Sequence, residues 1–355
     1  MHIAVDIREA LRTCRTGKGV WVFGLIQELL TRDITIMFLT DTPVPASWKS
    51  GRSQELLITG RGLMWHIRAA AALKNIADLD AYLSTVSYII PAIFGKKIPC
   101  VTVIHDLIAF RNEPHDRKAV WIERLTLGFA LQKSKKILTI SESTKHDLLA
   151  RYPALDSRKV TTVFAGPLRE DAPANHPTGN FILCAATLCP RKNQKRLIQA
   201  FAALPEIIRS HTELILIGGR GWHDQDIIDL VLKTPGVIWK NYVDDREYEE
   251  LLNTCTIFAL PSLYEGFGMP ILDAMQRGIP VLTSDRGSLK EVAGEAALIV
   301  DPDDTTSIAQ GLQTLLTERN LQETLRKKGP LQAKKFTWKR TADLIISSLN
   351  QLRSH

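Results

Sequence analysis

Short apolar runs recur along almost the whole chain, each separated from the next by a helix-length amphipathic segment. Repeated strand–helix–strand units have this pattern, and it commits the chain to parallel sheets with helices packed against them. In the first half the runs fall at residues 3–7, 35–39, 81–83, 99–104, 136–140 and 159–163. A second series falls at 181–186, 213–218, 237–239, 257–260, 280–283 and 297–300, with helices expected at 193–204 and 268–277. Between the series, residues 168–179 are polar and rich in proline, as domain boundaries are. A chain of 355 residues suits two domains, placed here at 1–170 and 171–338. Open parallel sheets bind ligands beyond the C-terminal ends of their strands. Two such Rossmann-like domains facing each other would put a site in the cleft between them.

Composition narrows the function classes. With 45% hydrophobic and 23% charged residues the chain can bury a core. No apolar run approaches the ~20 residues needed to span a bilayer as a helix, and the first residues read as a strand and not as a secretory signal. A cytoplasmic location is expected. The five cysteines lack the paired spacing of a zinc site or a disulfide framework, which favours reduced thiols. Residues 1–170 carry 24 Lys and Arg against 16 Asp and Glu, a balance of +8, and the remainder carries −1. An anionic partner for the first half follows, whether a phosphorylated substrate, a membrane surface or nucleic acid, and charge alone does not choose among them. The basic residues are scattered with no nucleic-acid motif, so nucleic acid is not the expected partner.

The most informative string is Leu260-Pro261-Ser262-Leu263-Tyr264-Glu265-Gly266-Phe267-Gly268-Met269, an apolar strand entering a helix through a glycine-rich turn, with Asp273 further along the helix. Glycines let backbone N–H groups approach an anion closely. Read alone, Glu265 is a loop acid and Asp273 a surface residue. A second string, Thr187-Leu188-Cys189-Pro190-Arg191-Lys192-Asn193, puts two cations at the start of a helix, where positive charge is unfavourable unless an anion joins it. In the first half, Val103-Ile104-His105-Asp106-Leu107 places a histidine just past an apolar strand. Thr16-Gly17-Lys18-Gly19-Val20 forms a glycine-containing turn ahead of a helix expected to begin near Trp21. The acid pairs Asp244-Asp245 and Asp303-Asp304 read as solvated loop residues and not as a metal site.

Taken in order, these strings resemble the glycosyltransferase group 1 family, retaining enzymes of the GT-B fold. The Glu265 string is similar to that family's E-x7-E segment, and the Arg191 string to its G-T-L-x-P-R-K-N segment. Val103–Leu107, Ile140-Ser141-Glu142-Ser143 and Phe336-Thr337-Trp338 resemble its V-x-H-D-L, V-S-E-x-S and F-[ST]-W segments. The resemblance implies a terminal helix, about 339–355, that packs back on the first domain. It implies His105 and Glu265 as the residues at the reacting sugar. It also implies donor contacts from Gly17, Gly19, Arg191, Lys192, Gly266, Phe267, Gly268, Met269 and Asp273. Two departures stand out. Asp273 replaces the second Glu, and Ala186 stands where the family usually has Gly.

The implied reaction moves a hexosyl group, with mannosyl favoured, from a nucleotide-diphosphate sugar to a glycan or lipid-linked glycan acceptor in surface polysaccharide biosynthesis. It needs no metal and no cofactor beyond the donor. Residues 64–68 and 94–97, basic and apolar, are the expected contacts for peripheral attachment at an anionic membrane. Two other readings compete: a GT-B enzyme that cleaves or rearranges a sugar nucleotide, and a catalytically weak sugar-nucleotide or glycan-binding protein. Turnover of a donor panel with and without acceptors separates all three.

Overall fold

Strand β1 (His2–Asp6) buries Ile3, Ala4 and Val5 completely, as a strand covered on both faces must. It pairs in parallel with β2 (Thr35–Thr40), which carries β3 (Ser53–Leu57) at its outer edge. On the other side lie β4 (Ala81–Ser84), β5 (Cys100–Ile104), β6 (Lys136–Thr139) and β7 (Val160–Thr162), so the sheet runs β3-β2-β1-β4-β5-β6-β7. Strand β3 has no counterpart among the apolar runs. As an edge strand of sequence Ser-Gln-Glu-Leu-Leu it buries only Ser53, which leaves no hydrophobic signal to read.

The structure describes residues 1–111, 117–169 and 172–353, a computed structural model in which two compact units are distinct. The first unit holds this sheet with α1 (Gly17–Leu29), α2 (Gly62–Lys74), α3 (Ile89–Phe94), α4 (Arg117–Lys133) and α5 (Glu142–Arg151). Strand alternation sorts its core. Ala4, Tyr82 and Cys100 share one register row and pack under Trp65, Ala69 and Leu73 of α2. On the same sheet face Ile104 and Ile137 lie under Leu127, Ala130 and Leu131 of α4. A late segment of the chain, from Trp338 onward, also belongs to this unit. The Trp338 ring seats itself where Gly24 and Gly166 have no side chain: a Cβ built on either would lie within 2.7 Å of that ring.

The second unit holds β8 (Phe181–Ala185), β9 (Glu213–Ile217), β10 (Val237–Trp239), β11 (Ile257–Leu260), β12 (Val281–Ser284) and β13 (Leu298–Val300), parallel and ordered β10-β9-β8-β11-β12-β13. Its helices are α6 (Gln194–Ala202), α7 (Glu206–Arg209), α8 (Gln225–Lys233), α9 (Asp245–Thr254), α10 (Met269–Gln276), α11 (Leu289–Ala293), α12 (Thr305–Thr317) and α13 (Arg319–Ala333). The last helix, α14 (Trp338–Arg353), packs on α1 of the first unit. Both units are Rossmann-like. In each, the strand order reverses beside the first strand, between β1 and β4 and between β8 and β11. Loops diverge at such a point and leave room for a ligand at the C-terminal ends of the strands. Among the described residues no helix is long and apolar enough to cross a membrane.

Candidate active site

The loops that follow β8 and β11 meet at the reversal point of the second sheet. After β8 the chain makes a short 3-10 turn, Pro190–Lys192, and leaves it through Asn193 in the left-handed conformation at φ 61°. Asn193 then fastens the loops: its side-chain amide donates to the carbonyls of Pro261 at 3.0 Å and Pro302 at 2.7 Å. The Leu263 amide donates to the Arg191 carbonyl at 2.8 Å, which ties the second loop to the first. After β11 the chain passes Ser262 and Glu265, and reaches α10 through Gly266, Phe267 and Gly268.

This fastening brings Arg191 and Lys192 onto Glu265. The Lys192 ammonium donates to Glu265 Oε1 at 2.6 Å, and an Arg191 guanidinium nitrogen donates to Oε2 at 3.0 Å and to the Tyr264 carbonyl at 2.7 Å. Ser262 adds a hydroxyl donor to Oε1 at 2.7 Å. All three charged side chains are at least 87% buried, their exposures being 11%, 13% and 9%. Burial by itself would raise the Glu265 pKa. The charges of Lys192 and Arg191, with hydrogen bonds from Lys192 and Ser262, outweigh it and hold the carboxyl at about 2. Among the described residues the cluster groups two cations, the residue types that hold a diphosphate, with one anion. The unfavourable placement of two cations at a helix start is thus relieved by Glu265.

Glycine is required at two points here. Gly268 takes φ 98° as the N-cap of α10, which opens with Met269. Gly287, at φ 59°, lies so close to Glu265 that a Cβ would stand 2.4 Å from the Glu265 carbonyl oxygen. Phe267 is buried edge-on against Phe336, ring centroids 5.5 Å apart, and Met269 is half-buried. Asp273 is buried, not on the surface. Its carboxylate accepts from the Leu168 amide at 2.6 Å and the Tyr248 hydroxyl at 3.3 Å. Burial pushes its pKa up to about 7, against the bonds from Leu168 and Tyr248 and the charge of Arg277. The acid pairs also have structural tasks: Asp244 caps α9, Asp304 caps α12, and Asp303 pairs with Arg286.

In the first unit His105 follows β5 and is 4% exposed. Its Nε2 lies 2.7 Å from the Thr85 carbonyl, which can only accept, so this nitrogen carries the proton and Nδ1 is left as an acceptor. Burial, then the Lys18 charge, lowers the His105 pKa to about 4, and the ring is neutral at pH 7. Thr85 in turn donates to the Asp6 carbonyl, which ties the loop after β4 to the end of β1 at the reversal point of this sheet. Trp21 stands edge-on to His105 at 5.2 Å. Asp106 orients its own loop by accepting from the Ile108 amide at 3.0 Å.

The glycine segment at the start of α1 is already helical. The helix starts at Gly17, with Thr16 as its cap, so Gly17 and Gly19 lie in its first turn and not in a loop that ends near Trp21. Gly19 is buried because a Cβ there would lie 2.5 Å from the Glu9 carbonyl oxygen, a packing requirement that spacing does not reveal. Sequence reasoning also passed over Ser262, three residues before Glu265, and Glu123 of α4. The Glu123 carboxyl is pushed up to about 7 by burial and by Asp106, against the Lys18 charge. A lone acid on an amphipathic helix carries no such signal in sequence.

Comparison with known proteins agrees with this geometry. The family described as "Glycosyl transferases group 1" matches residues 169–332, the span that holds Arg191, Lys192 and Glu265. The "O-antigen chain mannosyltransferase B" of Escherichia coli is 32% identical over 320 residues, 85% of this chain and 82% of that protein. Sucrose-phosphate synthase from Thermosynechococcus elongatus superposes with a TM-score of 0.81 over 99% of both chains at 17% identity. The Anabaena protein HepE, solved in complex with UDP-glucose, gives 0.78 over 99% of this chain and 100% of that one at 15% identity. At such identities the two structures speak to the fold alone, which is GT-B.

Proposed function

The chain belongs to the glycosyltransferase group 1 family, and we propose that it catalyses retaining, metal-independent transfer of a mannosyl group from a nucleotide-diphosphate sugar to a glycan acceptor. The observation that carries this reading is the buried Arg191–Lys192–Glu265 cluster at the strand-order reversal of the second sheet. A donor diphosphate would bind the two cations of the cluster, with Arg191 giving forked contacts and Lys192 a point charge. The mannosyl assignment and the surface polysaccharide role come from the O-antigen mannosyltransferase relative. HepE, solved with UDP-glucose, supports a nucleotide-sugar donor in this fold.

In the proposed reaction the bond from the anomeric carbon to the diphosphate oxygen breaks with its electron pair on the diphosphate. The acceptor hydroxyl oxygen bonds to the same face of that carbon, and its proton passes to a diphosphate oxygen. Arg191 and Lys192 stabilise the charge that grows on the leaving group, which is the task a divalent cation performs elsewhere. Glu265 exchanges its cations for contacts with the donor sugar. Neutral His105 offers Nδ1 to a sugar hydroxyl. No cofactor beyond the donor is required. A lipid-linked acceptor would bring this cytoplasmic enzyme to the inner face of an anionic membrane.

The test is nucleotide release from GDP-mannose, UDP-glucose and ADP-glucose, each with and without oligosaccharide acceptors, in EDTA. Turnover of GDP-mannose only with acceptor, giving an α-linked product by NMR, fits the proposal. Preference for a UDP sugar would reject the mannosyl assignment, an inverted product the retaining one, and loss of turnover in EDTA the metal-independent one. Donor cleavage indifferent to acceptors would mean a sugar-nucleotide hydrolase.

A further inference from the structure

A helix that packs on a sheet normally turns its apolar stripe inward and its polar stripe to water. Helix α4 does the first and not the second. Leu127, Ala130 and Leu131 are buried against β5 and β6, yet Trp121, Leu125 and Phe129 are exposed by 66%, 61% and 59%. Their spacing of four sets them in one row along the outer face, and Ile122 beside them is 40% exposed. The row does not end with α4. Helix α3 packs against both α4 and α2, and it exposes Ile93, while α2 exposes Leu63, Met64 and Ile67. Scattered exposed apolar residues need no explanation, but eight of them on three helices packed in series do.

The charge around the patch says what covers it. Residues 61–74, 93–98 and 117–135 carry ten Lys and Arg and one acid, Glu123, which is largely buried. Arg61, Lys74, Lys96, Lys97 and Lys118 are exposed, and along the chain the acids that flank these segments most closely are Asp78 and Asp80 after the first and Glu113 and Asp116 before the third. A self-associating face or a protein-binding face is not expected to carry one sign of charge so uniformly. Aromatic and aliphatic side chains ringed by cations match an anionic lipid interface, where rings enter the acyl boundary and ammonium groups meet headgroups.

We infer that the outer face of α2, α3 and α4, centred on Trp121, Leu125 and Phe129, docks the first unit onto an anionic bilayer. The inference rests on the transferase reading only for its purpose, access to a lipid-linked acceptor. The surface is defined without reference to the active site. It also relocates the attachment expected from sequence. Residues 64–68 contribute Met64 and Ile67, but Trp65 is wholly buried with the Arg8 guanidinium 3.3 Å above its ring.

The experiment is co-sedimentation of the full chain with vesicles of phosphatidylcholine alone or mixed with phosphatidylglycerol, without donor or acceptor. Wild type should pellet with the mixed vesicles only, and lose most of that binding in about 1 M salt, where the screening length is about 3 Å. The triple variant Trp121→Ser, Leu125→Ser, Phe129→Ser alters only exposed side chains and should bind the mixed vesicles at least about tenfold more weakly. Brominated lipid should quench tryptophan emission of wild type more than that of Trp121→Phe, a readout that does not depend on the triple variant folding. Wild type that stays in the supernatant, a triple variant that pellets normally, equal binding to neutral vesicles, or quenching unchanged in Trp121→Phe would each overturn the inference. Transfer to a water-soluble acceptor should be intact in the triple variant. Its loss from wild type as well would refute the transferase reading and leave the vesicle result standing on its own.

Discussion

Replacing Glu265 with Gln removes the one negative charge between two buried cations and barely changes the side-chain shape. Taking the carboxyl from 4.5 to about 2 corresponds to about 3 kcal/mol of preferential stabilisation of the ionised form in the fold. Losing one partner of a buried ion pair costs about 3–5 kcal/mol by experience with other proteins, so the two figures agree. For a unit of this size about 3 kcal/mol lowers the melting temperature by about 6–12 °C. The sign with pH follows. A depressed carboxyl pKa stabilises the fold above the unfolded value near 4.3, and that contribution is lost as pH falls toward about 2. The difference between wild type and Glu265→Gln should therefore be full at pH 7 and shrink in acid. Calorimetry at both pH values, with and without GDP, measures it. GDP should restore part of the lost stability, because the diphosphate supplies the missing negative charge, and Glu265→Gln should bind GDP at least as tightly as wild type while its transfer rate collapses. A melting temperature within about 1 °C of wild type at pH 7 would refute the electrostatic reasoning. Tenfold weaker GDP binding would refute the placement of the diphosphate on these cations.

Further perturbations probe other parts of the structure. Arg191→Ala and Lys192→Ala should each weaken GDP binding in titration calorimetry, and with Glu265→Gln they should couple by about 1–3 kcal/mol in a double-mutant cycle. His105, lowered to about 4 by burial and Lys18, binds protons more readily unfolded than folded. Relative to His105→Gln, wild type should thus lose stability as pH drops from 6.5 toward 4, by up to about 1.4 kcal/mol per pH unit in paired pH-dependent melts, and the substitution should also impair transfer. Asp273 behaves oppositely: raised to about 7, it costs stability as it ionises, so Asp273→Asn should match wild type near pH 4 and melt higher at pH 8. Gly287→Ala meets both a positive φ and the Glu265 carbonyl, and should lower the melting temperature by several degrees and disturb transfer with it.

Much of this protein was written locally. Strand–helix alternation gave two parallel sheets because a buried strand must be apolar whatever surrounds it. The strings around His105, Arg191 and Glu265 stood at strand ends, where such sheets hold ligands, and their order along the chain matched one family. What local sequence omits is which distant segments become neighbours. Glu265 reads as a loop acid until the strand order, with β8 beside β11, sets Arg191 and Lys192 against it from 74 and 73 residues away. Asp273 reads as a surface residue until Leu168 and Tyr248 close over it. Strand β3 leaves no trace because an edge buries too little, and the outer row of α4 cannot be told from core in sequence because an apolar residue looks the same whether it faces a sheet or the outside. Burial and charge pairing are properties of a neighbourhood, and only the folded chain supplies one.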